Sequence, residues 1–537
     1  MPARCHSSLT PDPLRIALKR NLRLAYLHSI SVILSHYPEV EMETEQSAEV
    51  IRRNGLHPGR MATVSLRKGP EFRSSILMRM KTNRCLLRFA IAYSFVLIVL
   101  LTAATAQDFK AGVGRVDITP TEPVHLGGYA SRTAPFKSVG QRIFAKALAI
   151  QDSSGQVTLL VSADTIGTPR WFNDRLAEQI SKDLKIPREH FLFACSHSHS
   201  TPAIKGALEN AYGLTGEAAQ GVEKYSMEFL QKSFLAAQAA LTNLEPAKLS
   251  FGRGEAHFAA NRRQFGKDGV FIGVNPTGVV DNDVPVLRVQ RADGSTKALV
   301  LAYACHCTTL GATDEVSGDW AGHAQAYLEG VYPESTALFI TGCGADANPS
   351  PRGNPANAKQ HGLALAGAAA RVLNEPMLSL SGPVRAAFGR VDLPLGPLPK
   401  KEDFEAKLTN STPGVVRFAK QFLGMMAAGQ SLPTSYPCPV QVLRFGEDLT
   451  LIALGGEVVV DYSYRLRREL PRERVWTAAY CNDVFAYVPS VRILIEGGYE
   501  ADSNLIYYGL PTRFAPETEE ILVRKVLALV NETRSEK

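Results

Sequence analysis

The chain has 537 residues, 45% of them hydrophobic and 21% charged, with a formal net charge of +7. That balance suits a soluble globular protein with a large core and excludes a disordered or fibrous chain. The first 110 residues are rich in Arg and Lys, and no basic stripe with interleaved aromatics follows, which excludes nucleic acid as a partner.

Residues 1–77 show no sustained periodicity and read as a non-native upstream extension or a disordered segment. Arg79, Lys81, Arg84 and Arg88 then precede an apolar run from Phe89 to Leu101 and the stretch Thr102-Ala103-Ala104-Thr105-Ala106. Basic residues, apolar run and an Ala-x-Ala site in that order predict a secretory signal over 78–106, cleaved after Ala106. Such a signal belongs at a true N-terminus, so Met78 or Met80 is the expected start, and the periplasm or extracellular space the expected destination. With Met1 as the start, 89–106 is at the short limit of a membrane span and would anchor the chain instead.

From Gln107 to Lys537 the chain reads as one domain. Strands are predicted at Ala145–Ala149, Val157–Ser162, His190–Ala194, Leu249–Gly252, Val284–Val289, Ala298–Ala304, Ala337–Thr341, Val440–Phe445, Leu449–Leu454 and Val475–Tyr480. Helical periodicity occupies Trp171–Leu184, Lys224–Leu244, Ala321–Gly330, Ala358–Leu373, Val458–Leu470 and Pro516–Val530. The mixture predicts a layered α/β domain with helices over the sheet faces. Pro394–Pro439, with its Pro, Gly and Met, is expected to be less regular and to form a lid or rim. Cys195, Cys305, Cys307, Cys343, Cys438 and Cys481 do not make a disulfide scaffold in a domain of this size.

Polar motifs follow the apolar runs, where strands of such domains end and ligands bind. The first is Cys195-Ser196-His197-Ser198-His199-Ser200-Thr201-Pro202. If the strand continues that far, alternation puts His197 and His199 on one side. Both then serve one ion, or one ligates while the other handles protons; loop histidines bonded to backbone are the plainer reading. The others are Cys305-His306-Cys307-Thr308-Thr309, Thr341 to Pro349, Gly455-Gly456-Glu457, and Asn482-Asp483 with Tyr487 beyond. On a strand Cys305 and Cys307 would turn away from His306, which gives them a structural role.

These residues resemble the neutral ceramidases, zinc amidases that cleave the amide of N-acylsphingosine. The resemblance runs through Gly112-Val113-Gly114-Arg115-Val116-Asp117-Ile118-Thr119-Pro120, Gly128-Tyr129-Ala130, Ser196 to Ser200, Asn261-Arg262, His306-Cys307-Thr308, Ser317-Gly318-Asp319, Gly344 to Pro349, Gly456-Glu457, Tyr487 and Tyr499-Glu500, in the family's order. It implies that family's α/β catalytic domain and Zn²⁺ as cofactor, with His197, His306, Glu457 and Tyr487 as ligands and a position left for water or substrate oxygen. It further implies that His199 moves protons or holds the oxyanion, that Arg262 supplies fixed charge or a substrate hydrogen bond, and that Tyr499 donates to the tetrahedral intermediate. Taken alone, His306 also suits a buried core, Glu457 a helix first turn, Tyr487 a core aromatic and Arg262 a surface position beside Arg263.

Two departures matter. Asn348 stands where the family carries a serine, and a carboxamide is no acyl acceptor. It is left to donate its NH₂ to the substrate carbonyl or to orient water, while Asp346 is expected to accept from a ligand histidine. The chain also ends soon after 516–530, without the family's C-terminal immunoglobulin-like domain. The expected function is therefore an exported zinc amidohydrolase acting on an N-acyl lipid or related small molecule, with transient membrane-surface contact. A ceramidase-like protein that binds lipid or glycan without cleaving it is the alternative. A two-metal phosphoesterase would need more carboxylate ligands.

Overall fold

The computed structural model describes residues 109–534. The expected extension, signal segment and cleavage site over 1–106 lie outside the described residues.

A large sheet runs in the order Thr336–Thr341, Thr296–Tyr303, Asp283–Arg291, Glu245–Glu255, Phe109–Asp117, Phe144–Asp152, Val157–Ala163, Phe191–Cys195, with Leu378–Ser379 beside Glu245–Glu255. Its two outermost pairs are parallel and the pairs between them antiparallel. Side-chain alternation assigns the faces. Ala145, Ala147 and Ala149 turn to the helices Arg170–Leu184 and Gly216–Thr242, while Leu148, Ile150 and Leu160 turn to a second sheet. That second sheet has the order Val384–Pro394, Ser435–Phe445, Leu449–Leu454, Val475–Ala478. Leu443, Phe445, Leu449 and Leu451 face the first sheet, and Val440, Val442 and Ile452 face the helix Thr518–Glu532. The helices Asp319–Val331 and Pro355–Leu373 cover the Thr296–Tyr303 end through Trp320, Ala324 and Leu365. The result is helices, sheet, sheet, helix in layers.

The two edges of the large sheet curl together. Thr341 Oγ1 donates to Cys195 O at 2.8 Å, and Ser162 Oγ donates to Phe339 O. The loops leaving Cys195 and Tyr303 therefore emerge side by side. Both loops carry histidines.

The expected strands and helices are present with shifts at their ends, and three features differ. Pro394–Pro439 is regular: the helices Lys401–Glu405 and Pro413–Ala427 share a small core of Phe404, Phe418 and Phe422. The strand Phe109–Asp117 and the hairpin of Ala259–Gly266 with Gly269–Asn275 escape the apolar patterning. Glycines interrupt the first, and the second exposes Phe265, Phe271, Ile272 and Val274 to solvent. All six cysteines from Cys195 to Cys481 are buried and unpaired. Among the described residues no helix is long and apolar enough to cross a membrane.

The glycines of Phe109–Asp117 have a packing cause. A Cβ on Gly114 would lie 2.0 Å from Ala236 O, and one on Gly112 equally close to Ala240 O, both on the helix Gly216–Thr242. Backbone meets backbone there, so no side chain can yield. Gly114→Ala should lower the unfolding free energy by about 1–3 kcal/mol, read as a lower urea midpoint; an unchanged midpoint would contradict the close approach.

Candidate metal centre

The strand Phe191–Cys195 ends before His197, whose φ of 57° is left-handed. A turn, and not the strand alternation expected from the sequence, brings the two histidines together. Ser198 bridges to Cys307, and His199 N donates to Cys307 O at 3.1 Å, which joins this turn to the loop bearing His306. His306 N in turn donates to Ala347 O at 3.1 Å, and Arg262 N donates to Asp346 O at 2.8 Å. Ala345 N donates to Val458 O at 3.2 Å, and Glu457 N donates to Ala486 O at 2.8 Å. Glu457–Val458 pairs in parallel with Tyr487–Val488. One run of backbone hydrogen bonds thus positions every side chain of the cluster.

That pairing corrects the helix-turn reading of Glu457. The helix begins at Val460, and Val460 N is capped by Asp346 Oδ1 at 2.9 Å. Asp346 therefore does not accept from a histidine; backbone carbonyls do. His197 Nδ1 meets Ile166 O at 2.5 Å, His306 Nδ1 meets Gly344 O at 3.0 Å, and His199 Nδ1 meets Gly128 O at 3.2 Å. A carbonyl only accepts, so each Nδ1 carries a proton, and a neutral ring then has its lone pair on Nε2. Gly128 permits the last contact: a Cβ there would lie 2.4 Å from His199 Nδ1.

The Nε2 atoms converge. His197 Nε2 lies 3.1 Å from His199 Nε2 and 3.1 Å from Glu457 Oε2, and His306 Nε2 lies 3.1 Å from the same oxygen. Tyr487 Oη is 3.2 Å from His306 Nε2. All are buried except His199, which is partly exposed to the cavity. Burial, then the nearby Arg262, pushes the His306 imidazole down to about 4, and burial with the other two imidazoles holds His199 well below the usual range. Ring nitrogens gathered on one another and on a carboxylate form a group that a shared cation would stabilise. Imidazole and carboxylate together are a donor set that zinc accepts, so the residues fit the metal. His199 stands within the ligand-capable group, not apart from it.

Arg262 is no surface residue. It is buried, with Nε donating to Glu500 Oε1 at 2.7 Å, Nη2 to Tyr487 Oη at 3.0 Å and Nη1 3.1 Å from His306 Nε2. Arg263 donates to the other Glu500 oxygen at 2.6 Å and to Glu496 at 3.0 Å, so two carboxylates face the two guanidinium groups. Burial works against the Arg262 charge, but Tyr487 and Glu500 outweigh it and hold its pKa well above the ordinary value. Arg262, Asn348, Tyr487 and Tyr499 line a cavity of about 280 Å³ together with His197, His199 and Glu457. Asn348 Oδ1 accepts from Thr308 Oγ1 at 3.2 Å, which leaves its NH₂ without a partner among the described residues. Cys305 and Cys307 sit in the apolar cluster around Trp320, whose Nε1 donates to His306 O at 2.9 Å. Sequence reading missed Tyr508, which donates to Glu457 Oε1, and Tyr480, whose ring lies 4.5 Å from that of His197. Neither tyrosine stands in a motif, and only the fold brings them in.

Residues 109–362 match the family model for neutral/alkaline non-lysosomal ceramidase, N-terminal. The match covers just under half of the chain, and over that stretch the chain is similar to that family. Neutral ceramidase A of Dictyostelium discoideum is 26% identical over 275 residues, which is 46% of this chain and 37% of that protein. The neutral ceramidase of Drosophila melanogaster is 24% identical over 260 residues, 44% of this chain and 34% of that one. The chain thus spans little more than a third of the length of these curated relatives. In fold it is similar to a ceramidase complexed with C2 (TM-score 0.60, 18% identity) and to neutral ceramidase from Pseudomonas aeruginosa (TM-score 0.59, 21% identity). Each likeness covers 80% of this chain and 76% of the other. The ceramidase-like catalytic-domain architecture expected from the sequence is therefore present.

The loop that places Tyr487 carries its own buried acid. Asp483 O accepts from Gly456 N at 2.7 Å, while its carboxyl accepts from Tyr436 Oη at 2.7 Å and leaves Oδ1 without a partner among the described residues. Burial pushes this carboxyl up to about 7, so the folded state holds a proton that the unfolded state has released. Its contribution is complete below the unfolded value of about 3.8 and is lost as pH rises toward 7. Urea denaturation at pH 4.5 and 7.5 should show Asp483→Asn removing a decline of a few kcal/mol; identical pH slopes for wild type and variant would contradict the assignment.

Proposed function

We propose that the chain is an exported zinc-dependent amidohydrolase that cleaves an N-acyl amide, a ceramide-like lipid, with water as the acyl acceptor. The observation that carries this reading is the convergence of three histidine Nε2 atoms and Glu457 on one point of the cavity wall. Its ligand set is His197, His306, Glu457 and Tyr487. Zinc held there supplies Lewis acidity toward a carbonyl oxygen and makes water nucleophilic near neutral pH.

The chain's own residues do the rest. His199, neutral and with Nδ1 bonded to Gly128 O, takes the proton of the attacking water at Nε2 and returns it to the departing nitrogen. The water oxygen bonds to the acyl carbon, the C–N bond breaks, and a carboxylic acid and an amine leave. Burial pushes the Tyr499 phenol up, so it keeps its proton, and its hydroxyl has no partner among the described residues; it is placed to donate to the developing oxyanion. Arg262 fixes the Tyr487 oxygen and adds positive charge beside it. The NH₂ of Asn348 orients the carbonyl or the water, which dispenses with a serine nucleophile.

The purified protein should carry about one zinc per chain, lost in His197→Ala and His306→Ala. Wild type should release fatty acid from N-acyl amides and stop when a chelator is added. His199→Ala should retain the zinc and lose turnover by about 10²–10⁴-fold. A protein without zinc contradicts the reading, and lipid binding without turnover would favour the non-catalytic alternative that Asn348 motivates. Export is checked by the N-terminal sequence of the native protein, expected to begin at Gln107.

A further inference from the structure

One charged group on the cavity wall has no part in that mechanism. Arg352 lines the cavity, is exposed at its mouth, and donates from Nη2 to Tyr129 Oη at 3.1 Å. It forms no ion pair among the described residues, whereas Arg262 is matched by Glu500 and Glu457 faces the histidines. Its loop is fixed on both sides: Ser350 N donates to Phe258 O at 2.8 Å, Gly353 N donates to Thr309 O at 2.6 Å, and His361 Nε2 meets Pro351 O at 2.7 Å. The Tyr129 ring packs edge-on against His199 with centroids 5.2 Å apart, so Arg352 stands one side chain away from the proton-handling histidine. Ile166, Leu208, Ala211 and Ile272 make an apolar part of the wall.

We propose that Arg352 is a specificity-determining residue that binds a carboxylate on the amine half of the substrate, so that the chain prefers N-acyl amino acids to N-acyl amides with neutral head groups. This rests on the amidohydrolase reading and names its substrate class. Hydrocarbon takes the apolar wall, and the head group is left at the mouth. There a guanidinium with most of its N–H groups free offers the planar fork that a carboxylate matches and a hydroxyl does not. Hydrolysis joins the water oxygen to the acyl carbon, breaks the C–N bond and delivers the proton to nitrogen, releasing a fatty acid and an amino acid.

Isothermal titration calorimetry on the purified full chain tests this with N-lauroylglycine and N-lauroylethanolamine. Wild type should bind the first about tenfold more tightly, and added salt should weaken that binding alone. Arg352→Gln, which keeps a donor for Tyr129, should erase the preference and leave N-lauroylethanolamine unchanged. Arg352→Lys should keep part of it. Equal affinities in wild type, a preference that survives Arg352→Gln, or no binding of either probe would each overturn the proposal. Calorimetry needs no turnover, so binding of both probes without hydrolysis of either would count against the amidohydrolase reading and not against the role of Arg352.

Discussion

Backbone carbonyls fix the Nδ1 proton of three histidines, and everything in the site follows from where that leaves Nε2. The carbonyls of Ile166, Gly344 and Gly128 cannot donate, so His197, His306 and His199 turn Nε2 toward one another and toward Glu457. With His199 and His306 kept neutral by burial, the cluster is rich in acceptors. It is held in that state before any ligand arrives, so little reorganisation is needed to receive a cation.

The fold imposes this arrangement through main chain. The curl of the large sheet sets the Cys195 and Tyr303 exits side by side, and the Ser198–Cys307 bridge joins them. Asp346 caps the helix at Val460, and the Glu457–Tyr487 pairing brings two ligand candidates in from the second sheet. Four distant segments therefore meet without relying on flexible side chains. Charge is matched in the same way: Glu500 pairs with Arg262 and Arg263 while Glu496 takes a second side of Arg263, so Arg262 can approach His306 and Tyr487 while buried.

Much of this was legible in sequence, for identifiable reasons. Strands such as Leu449–Leu454 and Thr296–Tyr303 are buried on both faces and read as continuous apolar runs. Phe109–Asp117 did not, because the glycines demanded by the close helix break its pattern. His197, His306 and Glu457 stood out because each follows such a run. The cause of their convergence did not: the left-handed turn at His197 and the pairing of Glu457 with Tyr487 are long-range results of sheet packing. Tyr480, Tyr508 and Arg352 had no local signal, since their chemistry depends on what lies opposite them. Asp346 was read as a histidine partner because it is acidic and near, yet a helix N-terminus claims it.

A cation shared by His197, His306 and the Glu457 carboxylate is what the proposed chemistry requires. Anomalous diffraction at the zinc absorption edge, on crystals of the protein as purified, tests this most directly. The expected result is one strong peak within bonding distance of His197 Nε2, His306 Nε2 and a Glu457 oxygen. A peak bound elsewhere, or none with the three histidines still turned inward, would contradict it.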